Sequence, residues 1–245
     1  MKKLLVLGFI LCLATLTFAG GNMVQFKSGD DTASGYLSMP EGKGPFPGMI
    51  VIQEWFGVND QMKGLADRFA GLGYAALAVD LYRGKVATND DEAHQLSSGL
   101  PEDRAVRDLK AGYAYLQSLP NVSKNKIGSI GWCMGGHYSG ALAIAEPTLA
   151  ACVIYYGSQP TDSQTLAKIN APVIGFFGGA DQGVTPELAK KFEAQMKALH
   201  KDVTINIYDG AGHAFAREGG PKYNETAAKD SWSKTVSFLQ AHLKQ

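Results

Sequence analysis

Short, unbroken apolar runs alternate along the chain with longer stretches whose apolar residues recur every three or four positions. The runs are Gly48-Met49-Ile50-Val51-Ile52-Gln53, Tyr74 to Val79, Lys126 to Ile130, Ala150 to Tyr156, Pro172 to Gly179 and Val203 to Tyr208. Hydrophobicity that is continuous over a strand length predicts a strand covered on both faces, as in a parallel sheet. The intervening stretches predict helices. One starts at Asn59 or Asp60, which can cap it, and carries Met62, Leu65, Phe69 and Leu72 on one face up to Gly73. Others span Arg104 to Leu119, His137 to Ala145, Pro186 to His200 and Asn224 to Leu243, and the polar residues 85–100 read as a loop with a short helix. Ahead of these, Met23 to Lys27 and Ala33 to Met39 read as two short strands around the turn Gly29-Asp30-Asp31. Alternating strands and helices predict the α/β class: a mostly parallel, doubly wound sheet with helices on both faces and right-handed crossovers. No repeat or linker interrupts residues 20–245, which read as a single domain.

The first stretch follows a different pattern. Met1-Lys2-Lys3 precedes a nearly wholly apolar segment from Leu4 to Leu16, and Thr17-Phe18-Ala19 closes it. A basic start, an apolar run too short to span a bilayer and small residues before the cut predict a signal peptide over residues 1–19. The mature chain is then expected to be exported, periplasmic or secreted, and free of the membrane. Cys12 leaves with the leader, so Cys133 and Cys152 remain. A disulfide between them is open to an exported protein. The apolar run around Cys152 instead predicts a buried structural thiol, which leaves Cys133 free.

Charge narrows the classes of function. Lys+Arg and Asp+Glu number 23 each, and no basic block is present. Nucleic-acid binding and polybasic membrane attachment therefore have little support. The 45% hydrophobic composition is enough for one sizeable core.

In sheets of this kind, sites form where strands end. That rule selects the loops at Glu54, Arg83, Cys133, Asp181 and His213. The sharpest signal is Gly131-Trp132-Cys133-Met134-Gly135-Gly136, which reads as strand, tight turn and helix. A G-x-C-x-G turn there is the thiol form of a nucleophile elbow. It sets Cys133 at a helix N-terminus, where the dipole favours a thiolate, and leaves the Met134 N–H free to bind an oxyanion. A thiol nucleophile needs a base, and the base needs an orienter. Gly178-Gly179-Ala180-Asp181 and Gly210-Ala211-Gly212-His213 follow later strands in that order. Asp181 is placed to fix the tautomer of His213, and His213 to take the thiol proton and return it to a leaving group. Neither a P-loop nor a metal-ligand cluster is present in the sequence.

Four stretches resemble the dienelactone hydrolase family (carboxymethylenebutenolidases), which are α/β-hydrolases with a cysteine nucleophile. They are Gln53-Glu54-Trp55-Phe56-Gly57-Val58-Asn59, Asp80-Leu81-Tyr82-Arg83-Gly84, the Cys133 elbow, and Gly212-His213-Ala214-Phe215-Ala216-Arg217. The resemblance implies the α/β-hydrolase fold, a small lactone or ester as substrate, an acyl-enzyme on Cys133 and no cofactor or metal. It also implies that Glu54 adjoins the thiol and takes part in its activation, and that Trp55 supplies a second oxyanion N–H. Arg83 and Arg217 resemble the family's pair that grips a substrate carboxylate. The chain departs from the pattern twice: the family's first arginine lies where this chain has Gly84, and Ala214 stands where serine is common. A broad small-ester carboxylesterase, or a noncatalytic binding protein on the same fold, are the alternative readings.

Overall fold

The computed structural model describes residues 20–244, so the expected leader lies outside the described residues. Eight strands form one sheet: β1 (Asn22–Ser28), β2 (Asp31–Ser38), β3 (Phe46–Ile52), β4 (Ala75–Asp80), β5 (Val122–Trp132), β6 (Ala151–Tyr155), β7 (Val173–Gly178) and β8 (Val203–Tyr208). Their spatial order is β1-β2-β4-β3-β5-β6-β7-β8. The β1–β2 and β2–β4 pairs are antiparallel, and β3 pairs with β4 and β5 in parallel. Every pair from β5 to β8 is parallel as well. The helices are α1 (Asp60–Gly71), α2 (Asp90–Ser98), α3 (Glu102–Ser118), α4 (Met134–Ala145), α5 (Ser163–Leu166), α6 (Pro186–Ala198) and α7 (Glu225–Leu243).

Both faces of the sheet are covered, which is why its strands read as continuous apolar runs. On one face Ile50, Ile52, Leu77, Val79, Cys152 and Ile154 pack with Leu109 and Tyr113 of α3, Leu142 of α4 and Phe192 of α6. On the other, Met49, Val51, Ala76, Ala78 and Val153 pack with Met62 and Phe69 of α1 and Leu239 of α7. Adjacent strand residues alternate between these two layers, as the pleat requires. The helix starts follow capping chemistry. Asn59 accepts from the Met62 N–H at 3.1 Å, Thr185 caps α6 ahead of Pro186, and Asn224 caps α7.

One polar cluster joins the antiparallel edge to the helical layer. Asp108 of α3 is fully buried and pairs with Arg83 at 3.0 Å, while Ser28 donates to it at 2.6 Å. The same guanidinium reaches Asp31 in the β1–β2 hairpin at 2.9 Å. Removing one partner of a buried pair strands the other's charge. The Asp108→Ala variant is therefore expected to lose about 3 kcal/mol of unfolding free energy in urea. A loss below about 1 kcal/mol would mean that Arg83 is satisfied by Asp31 and solvent alone.

Cys133 and Cys152 are both free thiols. Cys152 is fully buried in the α3–α4–α6 layer, with its Sγ 3.4 Å from the Ser139 carbonyl. This is the structural thiol that the apolar run around it predicts.

Candidate active site

Cys133 sits on the turn between β5 and α4 with φ +56° and ψ −117°, a conformation that L-residues rarely adopt. Glycines on both sides make that turn possible. A Cβ on Gly131 would strike the Gly135 carbonyl, and one on Gly135 would strike the Ile52 carbonyl of β3. The turn can pack this close to the sheet only with hydrogen at those positions, and the thiol is thereby lifted off the strand ends.

Two later strand ends meet it there. His213 Nε2 lies 3.0 Å from Cys133 Sγ, and His213 Nδ1 lies 2.8 Å from Asp181 Oδ2. The other Asp181 oxygen, Oδ1, accepts from the N–H groups of Gly183 at 2.9 Å and Val184 at 3.0 Å. Asp181 is 4% exposed, so the carboxylate is held from both sides. Donation from Nδ1–H to Asp181 leaves the Nε2 lone pair to accept the thiol proton. Tyr156, next to the end of β6, stands edge-on to the imidazole at 5.2 Å between centroids and braces its ring.

Glu54 follows β3 and is only 6% exposed. Arg217 Nε lies 3.8 Å from its Oε2, and the Arg217 guanidinium stacks on Phe56 at 4.4 Å. Burial pushes the Glu54 carboxyl up to about 6, and Arg217 opposes that shift. The Cys133 thiol is pushed up to about 11, first by burial and then by the negative charge of Glu54. The Met134 backbone N–H beside the sulfur acts in the opposite sense. The helix terminus thus favours the thiolate, as expected, but burial and Glu54 outweigh it, and the resting group is a neutral thiol.

This electrostatic balance has a measurable sign. Thiolate is the reactive form, so carboxamidomethylation of Cys133 by iodoacetamide is expected to rise roughly tenfold per pH unit up to about 11. The Glu54→Gln variant removes a charge that opposes the thiolate, which lowers the thiol pKa and speeds labelling at pH 8. Slower labelling would contradict the arrangement. Cys152, fully buried, does not compete for the reagent.

A cleft of about 520 Å³ opens over the thiol, walled by Glu54, Trp55, Phe56, Cys133, His213 and Arg217. The turn carrying Trp55 is closed by the Gly57 N–H on the Glu54 carbonyl at 3.3 Å. The Tyr82 hydroxyl donates to the Trp55 carbonyl at 3.1 Å and reaches Met134 Sδ at 3.3 Å. That one phenol therefore ties together the two segments expected to supply oxyanion donors.

The structure brings Cys133, Asp181, His213, Glu54, Trp55, Met134 and Arg217 together, but not Arg83. The guanidinium of Arg83, expected on a substrate carboxylate, is instead the counter-charge of buried Asp108 and of Asp31. Sequence reasoning missed Asp90 and Lys222, which also border the cleft, and the bracing role of Tyr156. Tyr156 carried one signal, its place in Tyr155-Tyr156-Gly157 at a strand end.

The model of the dienelactone hydrolase family matches residues 33–243. A Methylorubrum extorquens protein with the provisional name carboxymethylenebutenolidase is 33% identical over 233 residues, covering 89% of this chain and 80% of its own. The solved structure of a dienelactone hydrolase-like promiscuous phosphotriesterase from metagenomic libraries is 27% identical. It superposes with a TM-score of 0.82 over 91% of this chain and 98% of its own. A thermophilic esterase from Thermogutta terrifontis, 17% identical with a TM-score of 0.72 over 92% of this chain and 95% of its own, shares the fold. The chain belongs to the dienelactone hydrolase family of hydrolytic enzymes.

Proposed function

We propose that the chain hydrolyses a lactone or small carboxylic ester through a cysteine nucleophile and an acyl-enzyme. The observation that carries this reading is the unbroken line from Asp181 through His213 to the Cys133 sulfur, at 2.8 and 3.0 Å. Nucleophile, base and orienter are each within hydrogen-bond reach of the next. The thiol proton passes to Nε2, and sulfur attacks the carbonyl carbon. The N–H groups of Met134 and Trp55 hold the oxyanion while His213 hands its proton to the departing alkoxide. Water, deprotonated by the same imidazole, then cleaves the thioester.

Glu54 makes the thiol conditional. A substrate carboxylate that enters the cleft competes for Arg217, and the Glu54 carboxyl then takes up a proton more readily. A neutral Glu54 no longer opposes the thiolate. Until then a neutral thiol resists oxidation, which suits the exported location we propose from residues 1–19.

The test gives the mature chain, residues 20–245, a dienelactone and simple aryl esters in parallel, with acid quenching and mass analysis of the cysteine-containing peptides. The expected result is turnover with a burst of alcohol product and an acyl mass on Cys133. Turnover without any adduct, across all the esters hydrolysed, would remove the acyl-enzyme from the proposal. Relative rates decide the substrate. Arg83 stands outside the cleft, and that observation favours a broad small-ester carboxylesterase as the second reading.

A further inference from the structure

A second cavity adjoins the cleft, and the chemistry described so far does not use it. It encloses about 450 Å³ between α1, α7 and the loop that carries Arg217. Glu54 and Arg217 border both spaces, but Cys133 and His213 border only the cleft. The volume suits a small organic ligand rather than stray water.

Its walls are unusually aromatic and carry an unspent cation. Trp132, Tyr155, Tyr156, Tyr223 and Trp232 are among its lining residues. The Arg68 guanidinium stacks on Trp232, with Cζ 3.6 Å from the ring centroid. Among the described residues no carboxylate lies within 4.0 Å of Arg68, because neighbouring Asp67 turns to the Tyr36 hydroxyl at 3.1 Å. A guanidinium laid flat on an indole keeps its N–H edge free for a bidentate acceptor. The hydroxyl of fully buried Tyr156 also has no hydrogen-bond partner among the described residues.

The remaining charges do not cancel this bias. Lys229 is already paired with Glu225, and Glu218 is an exposed residue at the rim. Glu54 is matched by Arg217. An aromatic lining and a free guanidinium edge describe one ligand class.

We propose that this second cavity is a binding site for an aromatic carboxylate, distinct from the cleft over Cys133. The site requires no hydrolysis, so it stands or falls separately from the function proposed above.

The probe is 2-naphthoate, with 2-naphthamide as its uncharged counterpart, titrated calorimetrically into residues 20–245. The expected result is saturable binding of one naphthoate per chain, unchanged in Cys133→Ala, with no measurable binding of the amide. In Arg68→Gln the affinity falls about tenfold or more, the scale of a lost hydrogen bond to a charged group. Arg68 is exposed, so its replacement leaves the core intact, and circular dichroism checks this. Trp232→Leu keeps an apolar wall but loses the stack, and weakens binding as well. Binding that is equal in native and Arg68→Gln chains, equal for amide and carboxylate, or absent altogether overturns the proposal.

Discussion

Replacing Cys133 with alanine is expected to lower kcat/KM by roughly 10,000-fold or more on every ester that the native chain hydrolyses. The sulfur is the nucleophile that His213 Nε2 faces, at 3.0 Å, and alanine offers nothing to attack with. The fold should survive the change. Alanine at φ +56° carries the same backbone strain as cysteine, and the flanking glycines that permit the turn are untouched. The effect should fall on kcat, because Phe56, Arg217 and the other cleft walls remain to bind substrate. Initial rates on the best ester, with circular dichroism to confirm folding, provide the check. A loss smaller than about tenfold would mean that another group attacks the carbonyl, and the elbow reading would be wrong.

Asp181→Asn is expected to cost nearly as much, roughly 10,000-fold in kcat, although it replaces one oxygen with an isosteric amide nitrogen. The reason lies in what surrounds that side chain. The N–H groups of Gly183 and Val184 both point at Oδ1, so an asparagine must keep its carbonyl oxygen there. Its NH2 group then faces His213 Nδ1, where it can only donate. Nδ1 becomes the acceptor, the proton moves to Nε2, and the imidazole presents a donor to the thiol instead of a base. At higher pH the thiol ionises unaided, so the deficit in acylation should shrink as pH approaches about 11. A pH–rate profile of the variant beside the native chain tests this. An equal deficit at every pH would assign Asp181 a purely structural role in its loop.

Together the two variants separate the nucleophile from its orienter. Loss in the first alone would indicate a thiol that needs no histidine, as at a strongly activating helix terminus. That outcome is disfavoured here, because burial and Glu54 hold the resting thiol well above neutrality.

Much of this architecture was legible along the chain. Strands β3 to β7 stood out because burial on both faces fills most of their central positions with apolar side chains. Helix α1 announced its start through Asn59, whose side chain needs only the next turn to cap. The strand-end residues Cys133, Asp181 and His213 could be read in order because each lies in a short glycine-bearing turn whose shape its immediate neighbours dictate. These are local properties, written within a few residues of where they act.

Tertiary structure alone decided the rest. Arg83 sits at a strand end, where a substrate-gripping arginine is expected. Its head is nonetheless claimed by Asp108, 25 residues away on α3, because a carboxylate with no exposure attracts the nearest available cation. The thiol's high pKa follows from burial and from the Glu54 charge, which comes from the loop after another strand. The second cavity exists only where α1 and α7 flank the same sheet face. A chain reports the shape of its own turns through short-range sterics and hydrogen bonds. Coulomb fields, desolvation and cavities are sums over groups that meet only once the sheet has assembled.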